Sequence, residues 1–202
     1  RKPLVQCIKF KKNNNVEIRI ITVKEEFHSK LKNFEEFPLC QELAFNVGIQ
    51  RAKGKNVIIK MADTIYSDSF FDFLKKGKFK SNYLYRCGRR DFTYKNFLKK
   101  NFSNLNNIEN NTTCGDFFMM TKKNWNTVRG YWENGNAYQD GADTILKICT
   151  LNLNIKEKFL SDIFIFKPIH NLLHEKRTNY DYYKVNIYVI DQILRLIRAV
   201  LI

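Results

Sequence analysis

Asn46-Val-Gly-Ile-Gln-Arg-Ala-Lys-Gly-Lys-Asn-Val-Ile-Ile-Lys-Met-Ala-Asp63 is the stretch on which the fold turns. Leu43, Ala44, Phe45, Val47 and Ile49 recur at three- and four-residue spacing, which predicts a helix over Gln41 to Ala52 that Gly54 stops. Asn56 to Met61 is a short apolar run, read as a buried strand. Asp63 follows it directly. In an open α/β sheet the ligand crevice lies outside the carboxyl ends of the strands, so a carboxylate there can hold a divalent cation against a diphosphate. It can equally cap the turn or helix that follows, and position alone does not separate the two.

Working outward, Val16-Glu-Ile-Arg-Ile-Ile-Thr-Val23 is β-branched and partly alternating, which predicts a strand, and Lys24 to Phe37 a loop with a helical turn. Ser67 or Asp68 caps a helix through Phe70, Phe71, Phe73 and Leu74. Strands are expected at Asn82 to Cys87, Asp116 to Met120 and Ile163 to Phe166. Helical segments are expected at Lys122 to Val128 and Ala142 to Leu151, with an Asn-rich surface loop over Asn96 to Asn111. Strands alternating with helices imply a layered α/β domain without internal repeats. From Lys184 to Ile202 an apolar stripe (Val185, Val189, Ile190, Ile193, Leu196, Ile197, Val200) faces Lys184, Asp191, Arg195 and Arg198, an amphipathic helix for the domain's own core, a partner domain or a membrane surface.

The 202 residues are 44% hydrophobic and 14% aromatic, enough for one folded domain and too apolar for global disorder. No apolar run reaches the ~20 residues of a membrane span. Five widely separated cysteines form no C-x-x-C pair, which fits reduced thiols in a cytoplasmic setting. No signal peptide is evident, although the chain begins at Arg1 without Met. Lys+Arg 35 against Asp+Glu 20, a net charge of +15, favours phosphate-bearing partners, nucleic acid or an anionic membrane. The basic run Lys75-Lys76-Gly77-Lys78-Phe79-Lys80 lacks the aromatic spacing of an RNA-recognition sheet, and no helix-turn-helix or zinc finger accompanies it. A nucleic-acid module is therefore the alternative rather than the leading expectation.

The opening stretch resembles the approach to the metal-binding Asp of GT-A-fold glycosyltransferases, where a helix of the form N-x-G-I-x-x-A-x-G precedes a strand ending in D-x-D or a lone Asp. Further matches follow in order. Ile20-Ile-Thr-Val-Lys-Glu-Glu-Phe-His28 resembles the segment before that helix, and Leu84-Tyr-Arg-Cys-Gly-Arg-Arg-Asp91 the strand after the metal site. Cys114-Gly-Asp-Phe-Phe-Met-Met120, Trp125 and Arg129-Gly-Tyr-Trp-Glu133 resemble an acceptor-side G-D-F…W…R-G-Y-x-E block, and Ile169-His170 the C-terminal His of the site. The resemblance covers residues 16 to about 176 and is nearest to the family-2-like transferases that build surface glycans in bacteria and large DNA viruses. It implies a Rossmann-like mixed, mainly parallel sheet flanked by helices over residues 1–180, followed by the amphipathic helix at 181–202. Relatives of the pattern carry a strand-helix-strand unit ahead of a segment like Arg1-Lys-Pro-Leu4, and that unit is expected to be missing here.

The activity implied is transfer of a sugar from a UDP- or GDP-sugar to a glycan or other hydroxyl acceptor, assisted by Mn²⁺ or Mg²⁺ and inverting. Asp63 and His170 are the implied metal ligands. Asp143 is the implied general base with Glu133 second, and Asp116 and Trp132 are implied on the acceptor side. Arg86, Arg89 and Asn46 are implied on the donor side, the arginines by forked hydrogen bonds to phosphate. Each has a plainer reading: an N-cap for Asp143, a solvated loop for Glu133, an ion pair with Asp91 for the arginines, a core aromatic for Trp132. Met61-Ala-Asp63 carries one carboxylate where many relatives carry two, which implies weaker metal dependence. A degenerate scaffold docking through the last helix is a further alternative.

Overall fold

The computed structural model describes residues 17–35, 40–61, 63–92, 107–108, 115–133 and 141–168. The elements in chain order are α1 (Glu25–His28), α2 (Gln41–Arg51), β1 (Asn56–Lys60), β2 (Ile65–Tyr66), α3 (Asp68–Lys76) and β3 (Tyr83–Phe92). They continue with β4 (Asn107–Ile108), β5 (Phe117–Thr121), α4 (Lys122–Val128), α5 (Ala142–Asn152) and β6 (Lys156–Pro168). The architecture is mixed α/β: one sheet in the order β1-β5-β3-β6-β2, with β4 paired to β3.

β5 is the strand that organises the rest. All five residues of Phe117-Phe-Met-Met-Thr121 are buried, because the strand lies between β1 and β3 and is covered on both faces. Its side chains alternate between two cores. Phe117 and Met119 join Tyr66, Phe70, Phe71, Leu74, Tyr85 and Ile165 beneath α3. Phe118 and Met120 join Ile49, Val57, Ile59, Leu84, Trp125 and Leu146 beneath α2, α4 and α5. Trp125 is fully buried and donates its indole N–H to the Val57 carbonyl at 3.1 Å, fixing α4 to β1. Ser67 caps α3 by accepting from the Phe70 N–H at 3.3 Å, and Gly77 closes that helix at φ 61°.

Three expectations are corrected. The sheet is not mainly parallel: β3 pairs parallel with β6, whereas β1–β5, β3–β5, β3–β4 and β2–β6 are antiparallel. β5 enters the sheet between β1 and β3 against their direction, and β2 and β4 add to β6 and β3 in the same antiparallel sense. Residues 17–24 form no strand; Ile20, Ile21 and Val23 are each 37% exposed, and the segment pairs with no strand among the described residues. β6 runs 13 residues rather than four, its first half hidden from a pattern search by exposed Lys156, Lys158, Ser161 and Asp162. The Asn-rich loop falls mostly outside the described residues, and the amphipathic segment from Lys184 falls wholly outside them. Among the described residues no helix is long and apolar enough to cross a membrane, and Cys40 and Cys87 are buried.

Candidate active site at the carboxyl edge of the sheet

β1, β3 and β6 run in one direction, so their carboxyl ends share an edge, and β5 starts there because it runs the other way. Asp63 lies just past β1, Asp116 just before β5, Arg89 and Asp91 near the end of β3, and Lys167 near the end of β6. The Met61 N–H donates to the Asp116 carbonyl at 3.4 Å, which ties the first two segments together.

The charges at this edge alternate. Asp116 is 3% exposed. Its Oδ1 accepts from Lys167 Nζ at 2.6 Å and its Oδ2 from Arg89 Nη1 at 2.7 Å. Lys167 Nζ also lies 3.9 Å from Asp63 Oδ2, and Arg89 Nε lies 3.0 Å from Asp91 Oδ1. The β3–β6 register places Asp91 opposite Lys167, so the ladder itself holds this chain of charges. Lys60 is close to Asp63 as well. Its ammonium donates to the Met61 carbonyl at 2.9 Å and lies 5.4 Å from the Tyr66 ring centre. Burial lowers its pKa to about 8, with Asp63 pulling the other way.

Asp143, in the first turn of α5, reaches the same edge. A Cβ at Gly115 would fall inside the Asp143 carboxylate, so the glycine before Asp116 leaves the space that this carboxylate occupies. Burial pushes the Asp143 carboxyl up to about 6. Asp116 and Glu42 push the same way, while Arg86 and Lys167 hold it back. Such a carboxylate is ionised at neutral pH yet basic enough to accept a proton from a hydroxyl.

The remaining expected residues divide into several groups. Asn46 is tied to the turn after α4: its Nδ2 donates to the Tyr131 carbonyl at 2.8 Å and to Glu133 Oε1 at 2.6 Å, and its Oδ1 accepts from the Tyr131 N–H at 2.8 Å. Gly130 sits at φ 73°, and a side chain there would strike Asn46. Two of the motifs thus meet as a clamp that also engages Glu133. Arg86 is 1% exposed and pairs with Glu157 at 2.6 Å, while the other Glu157 oxygen pairs with Lys147 at 3.0 Å. Burial would raise the Glu157 pKa, but Lys147 and Arg86 outweigh it and hold it below the usual range. Arg86 therefore joins β3, β6 and α5, with its guanidinium 5.7 Å from the Phe118 ring centre. Trp132 is 54% exposed on an open, largely apolar depression of ≈ 640 Å³ that Glu133, Ile145 and Cys149 also line. His170 lies outside the described residues.

The plainer reading of an ion pair with Asp91 holds for Arg89, whereas sequence reasoning passed over Lys60, Lys167 and Glu42. Lys60 stands three residues before Asp63 and Lys167 three before His170, a weak signal in a chain this rich in lysine. Glu42 gives none, because a Glu in the first turn of a helix looks like a solvated end; here it is 7% exposed on the face that also buries Asn46 and Ile49.

The donor set bears on a metal. Among the described residues no group of three His, Cys, Asp or Glu side chains is placed to hold an ion. More directly, the carboxylates at the expected position already meet side-chain cations: Lys167 bridges Asp63 and Asp116, and Arg89 takes the second oxygen of Asp116. No family model matches the chain, and no curated protein matches it.

Proposed function

We propose that the chain is a nucleotide-sugar-dependent glycosyltransferase, moving a hexosyl group from a nucleoside-diphosphate donor to a glycan or other hydroxyl acceptor with inversion. The observation that carries this reading is the convergence of Asp63, Asp116 and Asp143 on one sheet edge, with Asp143 at a pKa of about 6 beside a cationic network. These carboxylates are 53 and 27 residues apart along the chain, so only the fold brings them together. The GT-A-like order of motifs supports the same reading. On it, the sheet is of GT-A type, the donor is a UDP- or GDP-sugar, and the protein works in the cytoplasm, with membrane association through residues 181–202.

The chemistry follows from the groups present. Asp143 takes the proton of the acceptor hydroxyl as that oxygen bonds to the anomeric carbon. The bond from that carbon to the donor phosphate oxygen breaks, and its electron pair leaves with the nucleoside diphosphate. Asp116, held by Lys167 and Arg89, fixes the cations that face this developing charge. Trp132 offers an exposed ring for a sugar face, and Glu133, engaged by Asn46, is positioned beside it.

The test is nucleoside-diphosphate release from a panel of nucleotide sugars, with thermal shift as the binding readout. Asp143→Asn is expected to lower turnover roughly 10²- to 10⁴-fold while leaving the donor-induced shift in place. Full turnover in that variant would remove Asp143 as the base, and no shift with any nucleotide sugar would remove the reading.

A further inference from the structure

We propose that the Lys167 ammonium stands in the place of a divalent cation between Asp63 and Asp116 and is the charge that receives the donor diphosphate. The proposal rests on the transferase reading above. Lys167 Nζ donates to Asp116 Oδ1 at 2.6 Å and lies 3.9 Å from Asp63 Oδ2, bridging the two carboxylates that a metal would have to use.

Three features make this a built position rather than a chance surface contact. The residue is set by the β3–β6 ladder, opposite Asp91. Asp116 is 3% exposed and held from its other side by Arg89 at 2.7 Å, so it is not free to swing toward an incoming ion. Lys60 brings a second half-buried ammonium toward Asp63. A divalent ion bridging Asp63 and Asp116 would therefore meet like charge in a partly desolvated pocket.

An ammonium has three N–H bonds, and only the one to Asp116 is taken up by a hydrogen bond among the described residues. The Lys167 side chain is 21% exposed, so the others are reachable from the crevice. During transfer, one of them is donated to the phosphate oxygen that receives the bonding pair. The proton stays on nitrogen, and the charge of the leaving group is met without a metal.

The experiment uses the full chain and two probes: inorganic pyrophosphate by calorimetry in EDTA, and Mn²⁺ by electron paramagnetic resonance. The wild type is expected to bind pyrophosphate in EDTA. Lys167→Met should weaken that binding roughly 10- to 100-fold, the loss of a charge-assisted hydrogen bond. Lys167→Arg should keep it within a few-fold, which controls for a folding defect. Lys167→Met should also gain a Mn²⁺ site that the wild type lacks, because two carboxylates lose their shared cation. Mn²⁺ bound equally by both proteins, or pyrophosphate binding that requires Mn²⁺, overturns the assignment and leaves the transferase reading intact. Pyrophosphate held in EDTA and lost in Lys167→Met, with no nucleotide sugar ever turned over, overturns the transferase reading and leaves Lys167 as an anion-binding residue.

Discussion

Replacing Asp143 with Asn should make the protein more stable at pH 8, and the gain should vanish on acidification. The carboxyl titrates at about 6 in the fold and near 3.8 when unfolded, because burial, Asp116 and Glu42 disfavour its charge. At ~1.4 kcal/mol per tenfold change in proton affinity, that gap is about 3 kcal/mol. The sign follows from the direction of the shift. The folded state binds the proton more tightly, so above pH 6 folding has to take an ionised group out of water, while below pH 3.8 both states are protonated and the term is gone. Asn keeps the shape without the charge. Urea unfolding of wild type and Asp143→Asn from pH 4 to pH 8 isolates this contribution, since every other titrating group is shared. For a chain of this length about 3 kcal/mol is roughly 6–12 °C in melting temperature. The reasoning would be refuted by a variant less stable than wild type at pH 8, or by a difference that does not change between pH 4 and pH 8. The two effects of one substitution, higher stability and lower turnover, would mark a group kept for its chemistry.

Two other perturbations probe how Asp143 and the turn before α5 are held. Asn46→Leu strands the Tyr131 N–H and carbonyl and releases Glu133, and should lower stability by about 2–4 kcal/mol in chemical denaturation; a loss under ~0.5 kcal/mol would mean that the clamp contributes little. Gly115→Ala should destabilise by about 1–3 kcal/mol by driving a methyl group into the Asp143 carboxylate, and a double-mutant cycle with Asp143→Gly should recover most of that loss. Simple additivity in that cycle would show that the two residues do not press on each other.

How far the sequence discloses this molecule can be judged element by element. α2, β1, α3, α4 and α5 are legible because each carries its own signal: helical spacing through Ile49, an apolar run at Val57–Ile59, a Ser67 cap with a Gly77 stop. β2 and the first half of β6 are not, since β2 becomes strand only by pairing with Ile165 and Phe166 near the end of β6, and the first half of β6 only by pairing with β3. Residues 17–24 show the converse, high β propensity without a strand partner among the described residues. At the site, Asp63, Asp116 and Asp143 are visible as carboxylates beside element ends, a position that elementary topology marks. Asn46 and Arg86 look like ligand-binding polar side chains until tertiary contacts take up the amide in one and the guanidinium in the other. Lys167 is invisible for a different reason. Nothing local distinguishes it among 35 basic residues, and its role depends on what lies across the sheet.

What places it there is an irregularity in β6. Cys87 pairs with Leu160, yet its neighbour Gly88 pairs with Phe164, so Ser161, Asp162 and Ile163 have no counterparts on β3. Had the first register continued, Asp91 would face Phe164, an aromatic ring. With three residues taken up in the bulge, Asp91 faces Lys167 instead. An odd insertion also reverses the alternation of the strand, which is how Leu160 on one side of it and Ile163 and Ile165 on the other all reach the core beneath α3. The bulge therefore satisfies two demands that a regular strand could not meet together: a continuous apolar core and an ammonium delivered to the acidic edge. A feature that looks like a defect in the ladder is what joins the packing of this sheet to the charge of its crevice.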